Sequence, residues 1–392
     1  MEDGGWRIAS PGRWPVAGAM KRASWIAIAA LWLVTAVDAA AATADRQQEW
    51  ERTVAAAKKE GKLNLYVGRY GSEPLLNEFR KDYPDIRIAS VNGTGNSLAT
   101  RILTESRSGK VVADLYSGGA NTNYNLLYKG KVLDSIKSAL ILPEVLDQTK
   151  WHGGSHAYAD PEGEHIFIYL ANPSSSGLYY HTGLVNPKEF KSYWDLMNPR
   201  WKGKMVSQDP TSTGLGATLV FFYNNPELGP EFLRRLFGTM DITYSRDRRQ
   251  MTDWLANGKY AICLGCRDAP KAKRQGLPVD EFVSGEWKEG EHISTGGGSI
   301  SLIKGAPQPN AARVFINWFL SRKGQIGMQT YPDLYGEVPP NSRRIDIPKD
   351  NLPAESRLVK GRKYLDVSNA EWQDMGPIFK IVKDALKSTE TK

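Results

Sequence analysis

"KLNLYVGRYGSEPLLNEFRKDYPDIRIASVNGTG", Lys62 to Gly95, decides the architecture. "KLNLYVG" reads as a strand. "SEPLLNEFRKDYP" reads as a helix capped by Ser72, with an apolar stripe of Leu75, Leu76 and Phe79 and Pro84 as its stop. "DIRIASVNG" alternates as a second strand. Working outward, "GNSLATRILTESRSGK" is a second helix closing near Gly109, and "ADLYSGG" is the end of a third strand. Strand, helix, strand, helix, strand predicts an α/β fold, a mainly parallel sheet with helices on its faces. Ligands of such sheets collect at the carboxyl ends of the strands. Here those ends are Gly68-Arg69-Tyr70, Asn92-Gly93-Thr94-Gly95-Asn96 and Ser117-Gly118-Gly119.

Upstream, Lys21 and Arg22 precede an uncharged apolar run from Ala23 to Val37, and Ala42-Thr43-Ala44 makes an A-x-A pattern. That is the layout of a secretory signal peptide cleaved near Ala44, with Met1 or Met20 as its start. The apolar run falls short of the roughly 20 residues a membrane-spanning helix needs. The chain of 392 residues carries a formal charge of +8; removing residues 1–44 takes away four basic and three acidic side chains and leaves +7. About 350 residues remain, beyond the roughly 250–300 at which one core splits, so two domains are expected. Apart from "RDRR" at Arg246–Arg249 the basic residues are dispersed, which argues against nucleic acid and for a basic cleft that attracts a small anion.

Downstream, "HIFIYLANP" and "SGLYYHTGLV" read as strands, the tyrosine pair Tyr179-Tyr180 pointing one residue to the core and one outward. "DPTSTGLG", Asp209 to Gly216, places Thr211, Ser212, Thr213 and Gly214 before an apolar helical run. A helix start of that kind offers free N–H groups to an anion, the plainer reading being N-capping by Ser212 or Thr213. Arg69 and Tyr70 close the first strand, Asn96 and Ser97 open the second helix as caps or ligand contacts, and Arg246 follows the strand "DITYS". Arg248 and Arg249 are expected on a solvated helix face. Cys263 and Cys266, both of the chain's cysteines, pair as a disulfide if the protein is exported. A zinc site needs two further ligands at recognisable spacing, and His152 and His156 lie in the glycine-broken "WHGGSH". No G-x-S-x-G, H-E-x-x-H or S-x-x-K stands in a supporting context, and Asp160 and Glu162 are expected to be solvated in a turn; an exported enzyme is the third-ranked reading.

The block "W-x-D-L…P-x-W-K-G-K", Trp194 to Lys204, and "A-x-x-F-I-x-W-x-L-S-x-x-G-Q", Ala312 to Gln325, carry a resemblance. Over about residues 48–385 the chain resembles the periplasmic substrate-binding subunits of ABC importers, in the iron(III)-type branch of the family-1 solute-binding proteins. The resemblance implies a type II two-lobe fold closing over one ligand. Residues 45–168 and 295–355 would form lobe one, 169–294 lobe two, and 356–392 a C-terminal helix on lobe two. It also implies a monomer, an inner-membrane permease as partner, and no cofactor beyond Fe³⁺ as a possible cargo. Ferric members of the branch hold iron through adjacent tyrosines after the strand matching "YAICLG". Here that neighbourhood holds Cys266, Arg267 and Asp268, and no tyrosine occurs between Tyr260 and Tyr331. The expectation is therefore a small organic or phosphorus-containing anion bound by Arg69, Tyr70, Asn96, Ser117, Thr211, Ser212, Thr213, Gly214, Arg246 and Arg267. The alternative is ferric iron held by other ligands or as an iron–anion complex.

Overall fold

The computed structural model describes residues 44–174, 177–294, 296–331, 333–334, 340–353, 356–368 and 370–390. The signal-peptide reading falls on residues outside the described ones. Contacts divide the chain into residues 1–49 and Trp50–Lys392, and the second unit carries everything that follows.

Its first sheet has seven strands. Leu63, Leu65 and Val67 alternate with Asn64 and Tyr66 along Lys62–Val67, and the alternation fills both faces of the sheet. The first set joins a core with Leu75, Leu76 and Phe79, while Tyr66 joins one with Leu98, Ile102 and Tyr116. Lys62–Val67 pairs in parallel with Arg87–Asn92 on one side and Leu115–Gly118 on the other, with Val67 opposite both Asn92 and Ser117. That register brings three strand ends side by side.

Between them the expected helices form at Glu73–Asp82 and Gly95–Arg107. Phe79 packs edge-on against Phe315 and Trp318, with ring centroids 5.2 Å away in each case. A buried Phe or Leu of this kind contributes about 1.5–3 kcal/mol. Ser72 does stand at the first helix's N-cap, but its hydroxyl makes no capping bond. The second helix is capped by Thr94, whose Oγ1 accepts from the Ser97 N–H at 3.3 Å, and not by Asn96 or Ser97.

The second sheet runs in the order Thr243–Ser245, Met205–Gln208, Ile262–Leu264, Leu178–His181, Val279–Glu281. Its first three strands are parallel, with Ser245 opposite Gln208 and Leu264 opposite Ser207, so their carboxyl ends also meet. The rest of each sheet is antiparallel. The sheets are thus mixed, because strands such as Ser299–Ile303 enter from the opposite end on returning from the other half of the molecule. A three-stranded sheet of Asn172–Ser174, Glu291–Ser294 and Tyr364–Asp366 stands between the two. "HIFIYLANP" consequently splits, Phe167–Ile168 staying in the first sheet and Asn172–Ser174 entering the connecting one.

Tyr179 and Tyr180 do point to opposite faces, yet both are buried: Tyr180 against Phe282, Tyr179 in a cluster with Val206, Cys263 and Cys266. Helices cover both faces of this sheet, so neither side is open to water. The helix Gly376–Glu390 lays Ile378, Val382 and Ala385 into the core of the second sheet with Phe232 and Leu236.

Candidate functional site

The strand ends of the two sheets face one another across a cavity of about 260 Å³. One wall carries Gly68, Arg69, Gly95, Asn96, Gly119 and Asn121; the other carries Gln208, Ser212, Gly214, Gly216, Arg248 and Arg267; Ser294 and Gly296 close the back. Among the described residues, three arginines and no carboxylate line it. Acids stand behind two of the arginines instead. Arg69 Nε donates to Asp333 at 2.6 Å, and its Nη1 to the Gly296 carbonyl at 3.3 Å. Arg267 Nη2 donates to the Gly214 carbonyl at 2.8 Å, and Arg248 Nη2 to Asp268 at 3.1 Å. Each guanidinium is aimed by such bonds and has five N–H donors in all. A cluster of positive heads in a small cleft attracts anions, most strongly those able to take paired N–H bonds.

Two of the lining glycines leave no room for a Cβ. A Cβ on Gly216 would lie 2.8 Å from Asn121 Cγ on the opposite wall, and one on Gly214 would strike Gln208. Asn121 is itself tied down: its Nδ2 donates to Gln373 at 3.2 Å, the Asn125 Nδ2 donates to the Gln373 carbonyl at 2.8 Å, and Lys129 pairs with Asp374 at 2.7 Å. Gln208 Oε1 is buried and has no hydrogen-bond partner among the described residues.

Of the sequence-derived residues, Arg69, Asn96, Ser212, Gly214 and Arg267 line this cavity. Ser117 lies just beneath it, buried, sharing a 3.0 Å hydrogen bond with Tyr169. Tyr70 turns to a neighbouring cavity of about 880 Å³ on the far side of Arg69. Thr211 gives its hydroxyl and N–H to Asp209 at 2.6 and 2.8 Å and so shapes the loop from behind. Thr213 begins the helical turn Thr213–Leu215. Ser212 Oγ donates to the Asp209 carbonyl, and Leu215, the residue before the helix Gly216–Asn224, offers that helix no side-chain cap. Arg246 lies outside the lining, its side chain 79% exposed and its guanidinium 2.7 Å from Asp209. Burial alone would raise the Asp209 pKa, but the Thr211 bonds and Arg246 outweigh it and hold the carboxyl below its ordinary range. Arg248, assigned from sequence to a solvated face, is the arginine of that cluster that reaches the cleft. Asn121 and Gln208 carried no signal in the sequence, since lone amides are common everywhere.

Cys263 and Cys266 form a disulfide that is wholly buried. His156 Nε2 sits 2.8 Å from the Val145 carbonyl, just past the short 3-10 turn His152–Gly154. Asp160 is not solvated; it is buried and accepts from the N–H groups of Glu164, His165 and Ile166. Among the described residues no group of three or more His, Cys, Asp or Glu is placed to hold a metal ion.

The family model of bacterial extracellular solute-binding proteins matches residues 67–326. The chain belongs to that family. An uncharacterized Haemophilus influenzae protein is 27% identical to this solute-binding protein over 286 residues, 69% of this chain and 75% of the relative. Iron uptake protein A2 of Synechocystis is 26% identical over 209 residues, 49% of this chain and 57% of that one, so a little over half of that relative's length is matched. The periplasmic binding protein AfuA of Actinobacillus pleuropneumoniae, solved with fructose-6-phosphate, superposes with a TM-score of 0.60 at 17% identity, covering 85% of this chain and 99% of that one. Trichodesmium IdiA (FutA), solved with iron and citrate, gives 0.58 at 18% identity, covering 84% and 99%. These neighbours establish the two-lobe type II binding-protein fold.

Proposed function

We propose that this chain is a periplasmic receptor that captures a small organic or phosphorus-containing anion between its lobes and delivers it to an ABC-transporter permease. The observation that carries the reading is the lining: Arg69 from one wall, Arg248 and Arg267 from the other, with no carboxylate and no tyrosine among the described residues there. A buried anion needs such partners, since an unpaired charge out of water is strongly disfavoured. The cavity of about 260 Å³ sits just under the roughly 300–1,000 Å³ of ordinary ligand pockets, which suits a small solute. Gln208 Oε1 adds a preference for a hydroxyl or amine on that solute. The protein binds and releases; no step of the reading alters the cargo.

A second reading, capture of a ferric–anion complex, is favoured by one fact: the Trichodesmium neighbour holds iron together with citrate. Bare Fe³⁺ suits this lining poorly, because a hard cation wants oxygen donors and these walls offer arginines. A thermal-shift screen of ligand-stripped protein against phosphate esters, phosphonates, carboxylates, ferric citrate, ferric chloride and neutral sugars separates the readings. Binding at 100 times Kd stabilises by about 2.7 kcal/mol, readily seen as a raised Tm. A rise with iron-free anions that is lost in Arg267→Ala supports the receptor of anions. A rise only with ferric citrate moves the assignment to the complex. Stabilisation by ferric chloride or a neutral sugar alone refutes both.

A further inference from the structure

We propose that Asp268 is a positioning residue for solute capture, acting through Arg248 within a tripeptide anchored by the Cys263–Cys266 disulfide. The inference rests on the reading of the cleft as an anion site. Cys263 belongs to the strand Ile262–Leu264, and the disulfide ties it to the buried Cys266, after which come Arg267 in the cavity lining and Asp268 behind it. Gly265 makes the turn at φ +88°, and a Cβ there would come within 2.8 Å of Leu215. The tripeptide then reaches two targets. Arg267 clamps the Gly214 carbonyl beside the helix start, and Asp268 Oδ1 accepts from Arg248 Nη2. Two of the three cleft arginines are thereby set by three consecutive residues.

Arg248 opens the helix Arg248–Ala256, and its side chain remains about a third exposed, so the bond to Asp268 restrains a side chain that borders solvent. Asp268 is not drawn away by the helix that follows it, Ala269–Arg274, where its side chain makes no capping bond.

Two effects of Asp268 on an anion oppose each other, and their signs separate them. Its negative charge near the cleft repels an anion, so on charge alone its removal tightens binding. Its hold on Arg248 pre-organises a long side chain, so on positioning its removal weakens binding. The test is calorimetric titration of the full mature protein with inorganic phosphate at low ionic strength. Asp268→Ala is expected to weaken phosphate binding about tenfold, because Arg248 must then be ordered on binding. Asp268→Asn, which keeps an acceptor oxygen, falls between it and the native protein. In an Arg248→Gln background the same Asp268→Ala change no longer weakens binding and tightens it slightly, since only the charge effect is left. An unaltered Tm of the ligand-free variants shows that the fold is intact.

Tighter binding by both single variants, or equal weakening by Asp268→Ala with and without Arg248, overturns the positioning role while leaving the anion reading in place. A native protein that binds neither phosphate nor any other anion of the screen overturns the anion reading and this inference together.

Discussion

Gly216→Ala is expected to separate closure of the lobes from stability of the fold. Gly216 opens the helix Gly216–Asn224 on one wall and faces Asn121 on the other. An added Cβ would lie 2.8 Å from Asn121 Cγ and Oδ1 and 3.0 Å from its Cβ. Separations under 3.0 Å force something to move, and Asn121 is poorly placed to yield while Gln373 accepts its amide. Overpacking of this degree costs about 1–3 kcal/mol. The contact spans the two walls, so the cost is expected to fall on the arrangement in which they meet and to be relieved where they part. Gly216 is the first residue of its helix, so the same change gains at most part of the about 0.5–1 kcal/mol by which alanine exceeds glycine in helix interiors. The ligand-free protein should therefore unfold at the native temperature or slightly above it, while affinity for its anion drops about 5- to 150-fold. Parallel measurement of ligand-free Tm and of Kd by calorimetry checks both signs at once. Adding Asn121→Gly should restore much of the lost affinity, since it removes the colliding atoms. Native affinity in Gly216→Ala would refute the claim that this contact closes the site.

Two further outcomes follow from buried groups. His292 lies in the connecting strand Glu291–Ser294, stacked on Phe221 with centroids 5.2 Å apart, and burial, reinforced by Arg267, pushes its pKa down to about 3 while Asp366 pulls the other way. The unfolded imidazole titrates near 6.5, so the unfolded state binds the proton first and stability falls as pH drops below about 6.5; between pH 7 and 5 the loss is on the order of 2 kcal/mol. Asp114, raised by burial to about 6, works in the opposite sense over that range, so the comparison is between the native protein and His292→Gln, whose urea-unfolding free energy should lose that part of its pH slope. Equal slopes would mean that His292 is already protonated or solvated in the fold. Replacing Cys263 and Cys266 together by alanine should lower stability by about 2 kcal/mol, the loop-closure entropy of a four-residue ring, and raise amide exchange at Gly214–Gly216. Unchanged exchange there would disconnect the disulfide from the cleft.

How far the sequence could be read depended on whether the informative contact was local. The strands and helices between Lys62 and Gly119 were legible because apolar alternation, Pro84 and the glycine-rich strand ends are local signals, and parallel pairing in register then delivers Arg69, Asn96 and Gly119 to one place. The basic cluster at 246–249 was legible as a cluster and misread as to its member. Ser245 ends its strand opposite Gln208, so Arg246 leaves the sheet edge toward Asp209, and the helix that starts at Arg248 turns that residue back to the cavity. A shift of two positions across a strand-to-helix turn reverses direction, and side-chain type cannot reveal it. Asn121, Gln208 and Gln373 were illegible for a different reason. Their importance comes from partners 95, 6 and 252 residues away in sequence, at Gly216, Gly214 and Asn121, and an amide in a loop looks the same with or without such a partner.

The same distinction explains why net charge was a weak guide to the ligand. A surplus of +8 over 392 residues says little about a cleft. What makes this cleft cationic is that Asp333 and Asp268 bind their arginines from outside the lining, orienting the guanidinium groups without standing among them. Moving either acid one residue toward the cavity would neutralise the site at unchanged composition. The cationic character of the cleft is therefore a property of which side of Arg69 and Arg248 the carboxylates of Asp333 and Asp268 occupy, which charge-conserving exchange of those positions can test.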